Sequence, residues 1–382
     1  MSVAQRYATL DGLRGVAAVV VLCYHTRVFP GSAAIAPHGY LAVDFFFMLS
    51  GFVIASAYQE KLEAGFTVAE FVAQRVTRLY PVALAGVLLG ALGLVSQYLI
   101  GPADSEPAQW IALAILLNVL ILPVVSQTHF GGELFPTNGP VWSLFSELLV
   151  NLGWSVFASL KSSLTFIIFI TMACGAILYA TMHQTALDDL GWNSKYPLEA
   201  TSRVLFSFLL GTVICRFRGM LPNLSKSPGL MLPALSMTAL LVVLGMPWFQ
   251  GEWDALAIFL FLPAILTLGV VCGREPDAAV RSFLGEISYP IYAVHFPVFL
   301  LLSGFWHSIF PSLNVSVVIS IGVPSALIVA IALNHFDKWL RISLSHKSTF
   351  GPSTGSRPER SARYKSPPGP ANLARNHGAN AP

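Results

Sequence analysis

Apolar runs long enough to span a bilayer recur along the chain from Leu13 to Leu333, centred near residues 20, 48, 90, 151, 173, 208, 238, 263, 298 and 324. A shorter run, Trp110 to Val125, contains Asn118 and Pro123. The pattern predicts an all-α fold: a polytopic helix bundle integral to a membrane. Composition agrees. Hydrophobic residues make up 55% of the 382 and charged residues only 11%, where a soluble domain carries about a quarter charged. Mean hydropathy is +0.67.

Charge distribution sets the expected topology. Lys61, Arg75 and Arg78 share one connection, Arg216, Arg218 and Lys226 another, and Arg274 and Arg281 a third. The stretch after Lys338 is basic throughout, whereas 28–39, 101–109 and 247–254 hold almost no Lys or Arg. Eleven full crossings would put 216–228 outside, against its charge. Ten crossings, with a re-entrant or surface-lying segment within 101–140, put every basic cluster inside and both termini in the cytoplasm. Eleven crossings with one violation stay open as the alternative. The expected location is a bacterial inner membrane.

Arg14 interrupts the first run with no small-residue cleavage site after it, so no cleavable signal peptide is expected. Cys23, Cys174, Cys215 and Cys272 all sit inside apolar runs, which suggests neither a disulfide framework nor a CxxC metal site. His38, His129 and His307 do not cluster with carboxylates at ligand spacing, so no metal is expected. No nucleic-acid partner is expected either. Thr67-Val68-Ala69-Glu70 is a capping-box pattern that starts a helix at Val68. The division expected is a transmembrane domain over 1–344 and a disordered basic cytoplasmic tail over 345–382, rich in Ser, Pro, Gly, Asn and Arg.

The chemistry starts from Arg14 and His25 in the first run. Eleven positions apart, they are three helical turns apart on one face, about 16 Å along the axis. Ionisable groups inside a membrane helix are costly, which makes them candidates for function. Two on one face near opposite ends form a track across the bilayer.

The motifs then fall into a recognisable order. Leu10-Asp11-Gly12-Leu13-Arg14-Gly15 through His25 resembles the opening of the acyltransferase-3 family, which includes O-antigen and exopolysaccharide O-acetylases. The segment 39–52, from Gly39-Tyr40 through Asp44 to Ser50-Gly51-Phe52, resembles the family's second-helix signature. Arg75-Val76-Thr77-Arg78 is similar to its cytoplasmic RxxR segment, Trp142-Ser143-Leu144 with Glu147 to a later signature, and 284–297 to the near-terminal one. The resemblance covers about residues 5–342. There are two departures: Leu148-Leu149-Val150-Asn151 replaces an aromatic pair and a proline, and Asp337-Lys338-Trp339 replaces a Glu followed by a Pro. Many relatives carry an added extracytoplasmic esterase-like domain, which this chain is expected to lack.

The resemblance implies an integral-membrane O-acyltransferase. The donor would be cytosolic acyl-CoA, most simply acetyl-CoA, and the acceptor a glycan or lipid-linked saccharide hydroxyl outside. Acyl transfer to an alcohol needs a base, and an imidazole titrates near neutrality. His25 is therefore the expected base, with Asp44 or Glu147 orienting or charge-stabilising the ring. Alone, a His at an interface is more often an amphipathic anchor; Arg14 in phase and the family order favour catalysis. Arg75 and Arg78 lie one turn apart and can present guanidinium forks to the donor's phosphates, with Arg14 deeper on the same side. Trp142, Ser143, Tyr289, Tyr292 and His295 are expected to line the pocket, and Ser50-Gly51 to permit close helix packing. The sequence leaves open whether His25 acts as a base or carries the acyl group. The rival class is a glycolipid transporter, which would show inverted repeats and helices broken near the midplane.

Overall fold

The structure is a computed structural model that describes residues 7–100, 106–161, 163–222, 230–247, 252–273, 279–309 and 314–348. Eleven helices account for most of them: α1 Ala8–Tyr24, α2 Ala42–Glu63, α3 Val68–Ile100, α4 Ala108–Val119, α5 Val141–Ser159 and α6 Leu164–Met182, then α7 Pro197–Phe217, α8 Met231–Gly245, α9 Trp253–Val271, α10 Ala279–Ile309 and α11 Val315–Ser348. No strand element is present among the described residues.

Nine of these helices are long and apolar enough to cross a membrane. The tenth expected span is α8, whose 15 residues rise only about 22 Å against a hydrocarbon core of about 30 Å. The interrupted run became α4, which has 12 residues and is too short to cross. Outward-facing side chains agree with a lipid solvent: Leu116, Phe169 and Ile328 keep 60%, 70% and 67% of their surface accessible. A water-facing bundle would carry charge at such positions.

The capping box forms as expected. Glu70 Oε2 accepts from the Thr67 backbone N–H at 3.0 Å, and the Glu70 N–H donates back to Thr67 Oγ1 at 3.2 Å, so α3 begins at Val68. By contact the chain divides into Met1–Trp339 and Leu340–Pro382. In the second part helix continues to Ser348, four residues into the expected tail; residues 349–382 lie outside the described residues.

Glycines set the closest helix contacts. A Cβ on Gly51 would come within 1.9 Å of the Phe208 carbonyl oxygen, and one on Gly211 within 1.9 Å of that of Met48, so α2 and α7 touch backbone to backbone. The same closeness buries an ion pair between them. Arg203 donates from Nε to Asp44 Oδ1 at 3.0 Å and from Nη2 to Oδ2 at 2.6 Å. Its remaining donors reach the carbonyls of Leu187, Leu190 and Tyr40. All five guanidinium hydrogens are thus used, which a buried charge requires.

Candidate active site

The site is built where α1 packs beside α10. Small residues let the two approach: a Cβ on Gly15 would meet Leu284 Cβ at 2.5 Å, and one on Gly285 would meet Asp11 Cβ at 2.7 Å. Residue numbers climb together along the contact, so the helices run parallel. Near its start, Arg14 donates from Nη2 to the Gly285 carbonyl at 2.6 Å and from Nε to Ser288 Oγ at 3.0 Å, and Nη2 also lies 3.1 Å from Asp11 Oδ1. Near its end, His25 Nδ1 lies 3.1 Å from His295 Nε2. Arg14 in α1 and His25 at its C-terminal cap share one face, as expected, and α10 binds both.

The two imidazoles have one consistent neutral arrangement. Carbonyl oxygens only accept, so His295 Nδ1, 2.9 Å from the Ile291 carbonyl, carries a hydrogen and its Nε2 does not. His25 Nδ1, 2.9 Å from the Val21 carbonyl, likewise carries a hydrogen, which His295 Nε2 can share. That leaves the lone pair of His25 Nε2 uncommitted. His295 is fully buried, and the edge-on ring of Phe296, 5.3 Å away, flanks His25.

Neither expected carboxylate is hydrogen-bonded to His25. Asp44 is fully buried and both of its oxygens are bound by Arg203. Glu147 is bound by Arg75 Nη2 at 2.8 Å and by Ser50 Oγ at 2.7 Å. The ring partner of His25 is instead His295, which the sequence placed only in the pocket lining. A charge inside a bundle pairs with the nearest opposite charge before it can serve an imidazole, and Arg203 and Arg75 are those charges. Ser50 thus donates to Glu147, while Gly51 makes a close contact with α7.

The expected donor arginines differ. Arg75 is buried and held by Glu147, with its Nε left without a partner; Arg78, one turn on, is exposed. Their side chains therefore do not present two equivalent forks.

Of the expected pocket residues, Tyr289, Tyr292 and His295 lie on α10 and Ser143 meets Tyr292, whereas Trp142 packs on Phe47 of α2. Tyr292 hydroxyl lies 2.5 Å from Ser143 Oγ and donates to the Pro140 carbonyl at 3.1 Å. Tyr289 hydroxyl donates to the Leu79 carbonyl at 2.6 Å, and Trp142 stacks edge-on to Phe47 at 6.1 Å. Ser288, Tyr292 and His295 make a row on one face of α10 beside the Arg14-to-His25 track.

One further residue was missed. Pro297 has no N–H for the Ala293 carbonyl one turn earlier, and Asn138 Nδ2 fills that place at 2.8 Å. Gly86 makes room for it, since a Cβ there would come within 2.1 Å of the same carbonyl oxygen. A helix-internal proline next to an imidazole was the available signal. On the same loop, burial pushes the Glu133 carboxyl up to about 7. No group of three or more His, Cys, Asp or Glu is placed to hold a metal ion among the described residues.

Comparison with known proteins gives this site its context. Residues 7–335 match the family described as an acyltransferase domain. A relative from Rhizobium radiobacter, protein 2 in the picA locus, is 37% identical over 171 residues, which is 42% of this chain and 87% of that protein. The exopolysaccharide production protein ExoZ of Rhizobium meliloti (strain 1021) is 27% identical over 268 residues, 67% of this chain and 75% of ExoZ. YrhL of Bacillus subtilis (strain 168), a proposed peptidoglycan O-acetyltransferase, is 23% identical over 338 residues, 78% of this chain and 50% of YrhL. No solved structure matches. The family match takes in every residue from Arg14 to His295 described above, and the chain belongs to the acyltransferase-3 family of membrane O-acyltransferases.

Proposed function

We propose that this acyltransferase moves an acetyl group from acetyl-CoA, supplied at the cytoplasmic Arg75 end of the bundle, to a sugar hydroxyl presented at the opposite, His25 end. The observation that supports the reading is the pairing of His25 with His295, which leaves Nε2 of His25 as an uncommitted base on the face of α1 that also carries Arg14.

In this mechanism His25 Nε2 takes the acceptor's hydroxyl proton as its oxygen bonds to the acetyl carbon. The ring is then an imidazolium, and its Nδ1 hydrogen stays shared between the Val21 carbonyl and His295 Nε2. As the carbon–sulfur bond breaks, His25 returns the proton to the departing thiolate. The products are an O-acetyl ester and the free thiol of CoA.

Arg78 and Arg75 meet the donor's phosphates. Arg75 keeps an unpartnered buried Nε, as a group awaiting an anion would. Arg14 stands between them and His25. Trp142, Ser143 and Tyr292 border the acceptor's ring. The names of ExoZ and YrhL favour a bacterial polysaccharide unit or its precursor as acceptor. The placing of Lys and Arg favours an inner-membrane location with both termini cytoplasmic, which needs the short α8 to complete a tenth crossing.

Proteoliposomes of known orientation test this, with radiolabelled acetyl-CoA on one side and a candidate glycan on the other. Label is expected on the glycan across the membrane. Label only on glycan supplied beside the donor would overturn the transmembrane path, and movement of unmodified glycan without acetyl-CoA use would favour a transporter.

A further inference from the structure

Between α5, α6 and α7 lies a cleft of about 600 Å³, a volume typical of ligand sites. Its walls include Leu149, Gly153, Phe157, Phe166 and Leu205. Leu149, Phe157 and Phe166 remain 52%, 45% and 44% accessible, on helices long enough to span the membrane. Ala200 and Arg216 both line the cleft from α7, about 24 Å apart along the axis, more than one leaflet's share of a hydrocarbon core about 30 Å thick. The walls suit a hydrocarbon chain.

One end is polar and incomplete. Gln59 is 8% exposed; its Nε2 donates to Glu63, while its Oε1 is buried and has no partner. Arg216 Nη2 lies 3.8 Å from Glu63 Oε1, too far for a hydrogen bond, and Arg216 Nε is also buried without a partner. A buried donor or acceptor left unfilled costs about 1–3 kcal/mol. An acceptor is missing for Arg216 and a donor for Gln59, both at the mouth of an apolar cleft.

We propose that the cleft binds one membrane phospholipid with a primary ammonium head group. Its phosphate sits on Arg216, its ammonium donates to Gln59 Oε1 beside the Glu63 carboxylate, and an acyl chain runs along the apolar wall. The positive Arg216 and negative Glu63 complement the head group's phosphate and ammonium in sign. A choline head group has no hydrogen to donate to Gln59. A glycerol head group can donate but brings no positive charge to Glu63. The bound chain also backs Trp142, which lines the same cleft one residue before Ser143.

Native mass spectrometry tests the site on full-length protein in detergent, offered equal amounts of phosphatidylethanolamine, phosphatidylcholine and phosphatidylglycerol. The wild type is expected to retain one phosphatidylethanolamine about tenfold over the other two, a preference worth about 1.4 kcal/mol. Arg216→Gln and Gln59→Leu should each erase that preference. Gly153→Phe should displace the lipid while leaving thermal unfolding intact, because a Cβ at Gly153 meets nothing within 4 Å. Equal retention of all three lipids by the wild type, or an unchanged preference in the variants, would overturn the proposal.

Discussion

His295 Nε2 lies 3.1 Å from His25 Nδ1, with the second nitrogen of His295 bound to the Ile291 carbonyl. In this pair His295 accepts a hydrogen, which fixes the tautomer of His25 and supports its charge once Nε2 is protonated. Replacing His295 with Ala should lower kcat about 100-fold, in the range general-base machinery contributes, with little change in KM. His295→Gln keeps an acceptor on the side chain and should recover part of the rate. Steady-state acetyl transfer with both variants checks this. Equal loss in kcat for Ala and Gln, or a loss confined to KM, would reduce His295 to pocket lining.

The Asp44–Arg203 pair is assigned to stability. Asp44→Asn should leave a buried guanidinium undercompensated and cost about 3–5 kcal/mol, seen as poor accumulation or a lower unfolding temperature. Replacing both residues with Leu should restore most of that loss. Asp44→Asn protein that is normally stable but inactive would return Asp44 to the catalytic set.

Much of this architecture was legible in the sequence, because a membrane imposes spans of fixed length and penalises unpaired charge. The helix start at Val68, the short α4 and the shared face of Arg14 and His25 followed from local patterns. Pairing was harder to read. The motifs flag Asp44, Glu147 and His295, but a motif does not say which helix faces which. Arg203 could have been found by the rule that flagged Arg14, since it too lies inside an apolar run. Its partner Asp44 reads from the sequence as a partner of the imidazole instead. Pro297 signals an open carbonyl one turn earlier, but only the folded loop shows that Asn138 fills it.

Arg75 and Glu147 should behave as a coupled unit. Arg75→Gln and Glu147→Gln are each expected to weaken acetyl-CoA binding, and the double variant should weaken it less than the sum of the two. Arg78→Gln alone should reduce donor affinity by about tenfold, an effect that fades as salt rises because Arg78 is exposed. Calorimetric titration of purified protein with acetyl-CoA at two salt concentrations decides it. Additive losses, or no salt dependence at Arg78, would contradict the arrangement.

Glu133 gives the loop before α5 a pH dependence. Its carboxyl is raised from 4.5 to about 7, so the folded state holds this proton more tightly than the unfolded chain does. The associated stability is fully present below pH 4.5 and is lost as pH rises through 7. Glu133→Gln should therefore raise the unfolding temperature at pH 8 and change it little at pH 5. Thermal unfolding at the two pH values reads this directly, and an equal effect at both would contradict the burial of the carboxyl.

The central claim is that His25 is the base for acetyl transfer. Its most direct measurement is acetylated glycan, quantified by mass spectrometry from membranes that hold matched amounts of wild-type and His25→Ala protein. The account predicts normal insertion and accumulation of the variant, with product reduced at least about 100-fold. Near-normal product from His25→Ala would contradict it.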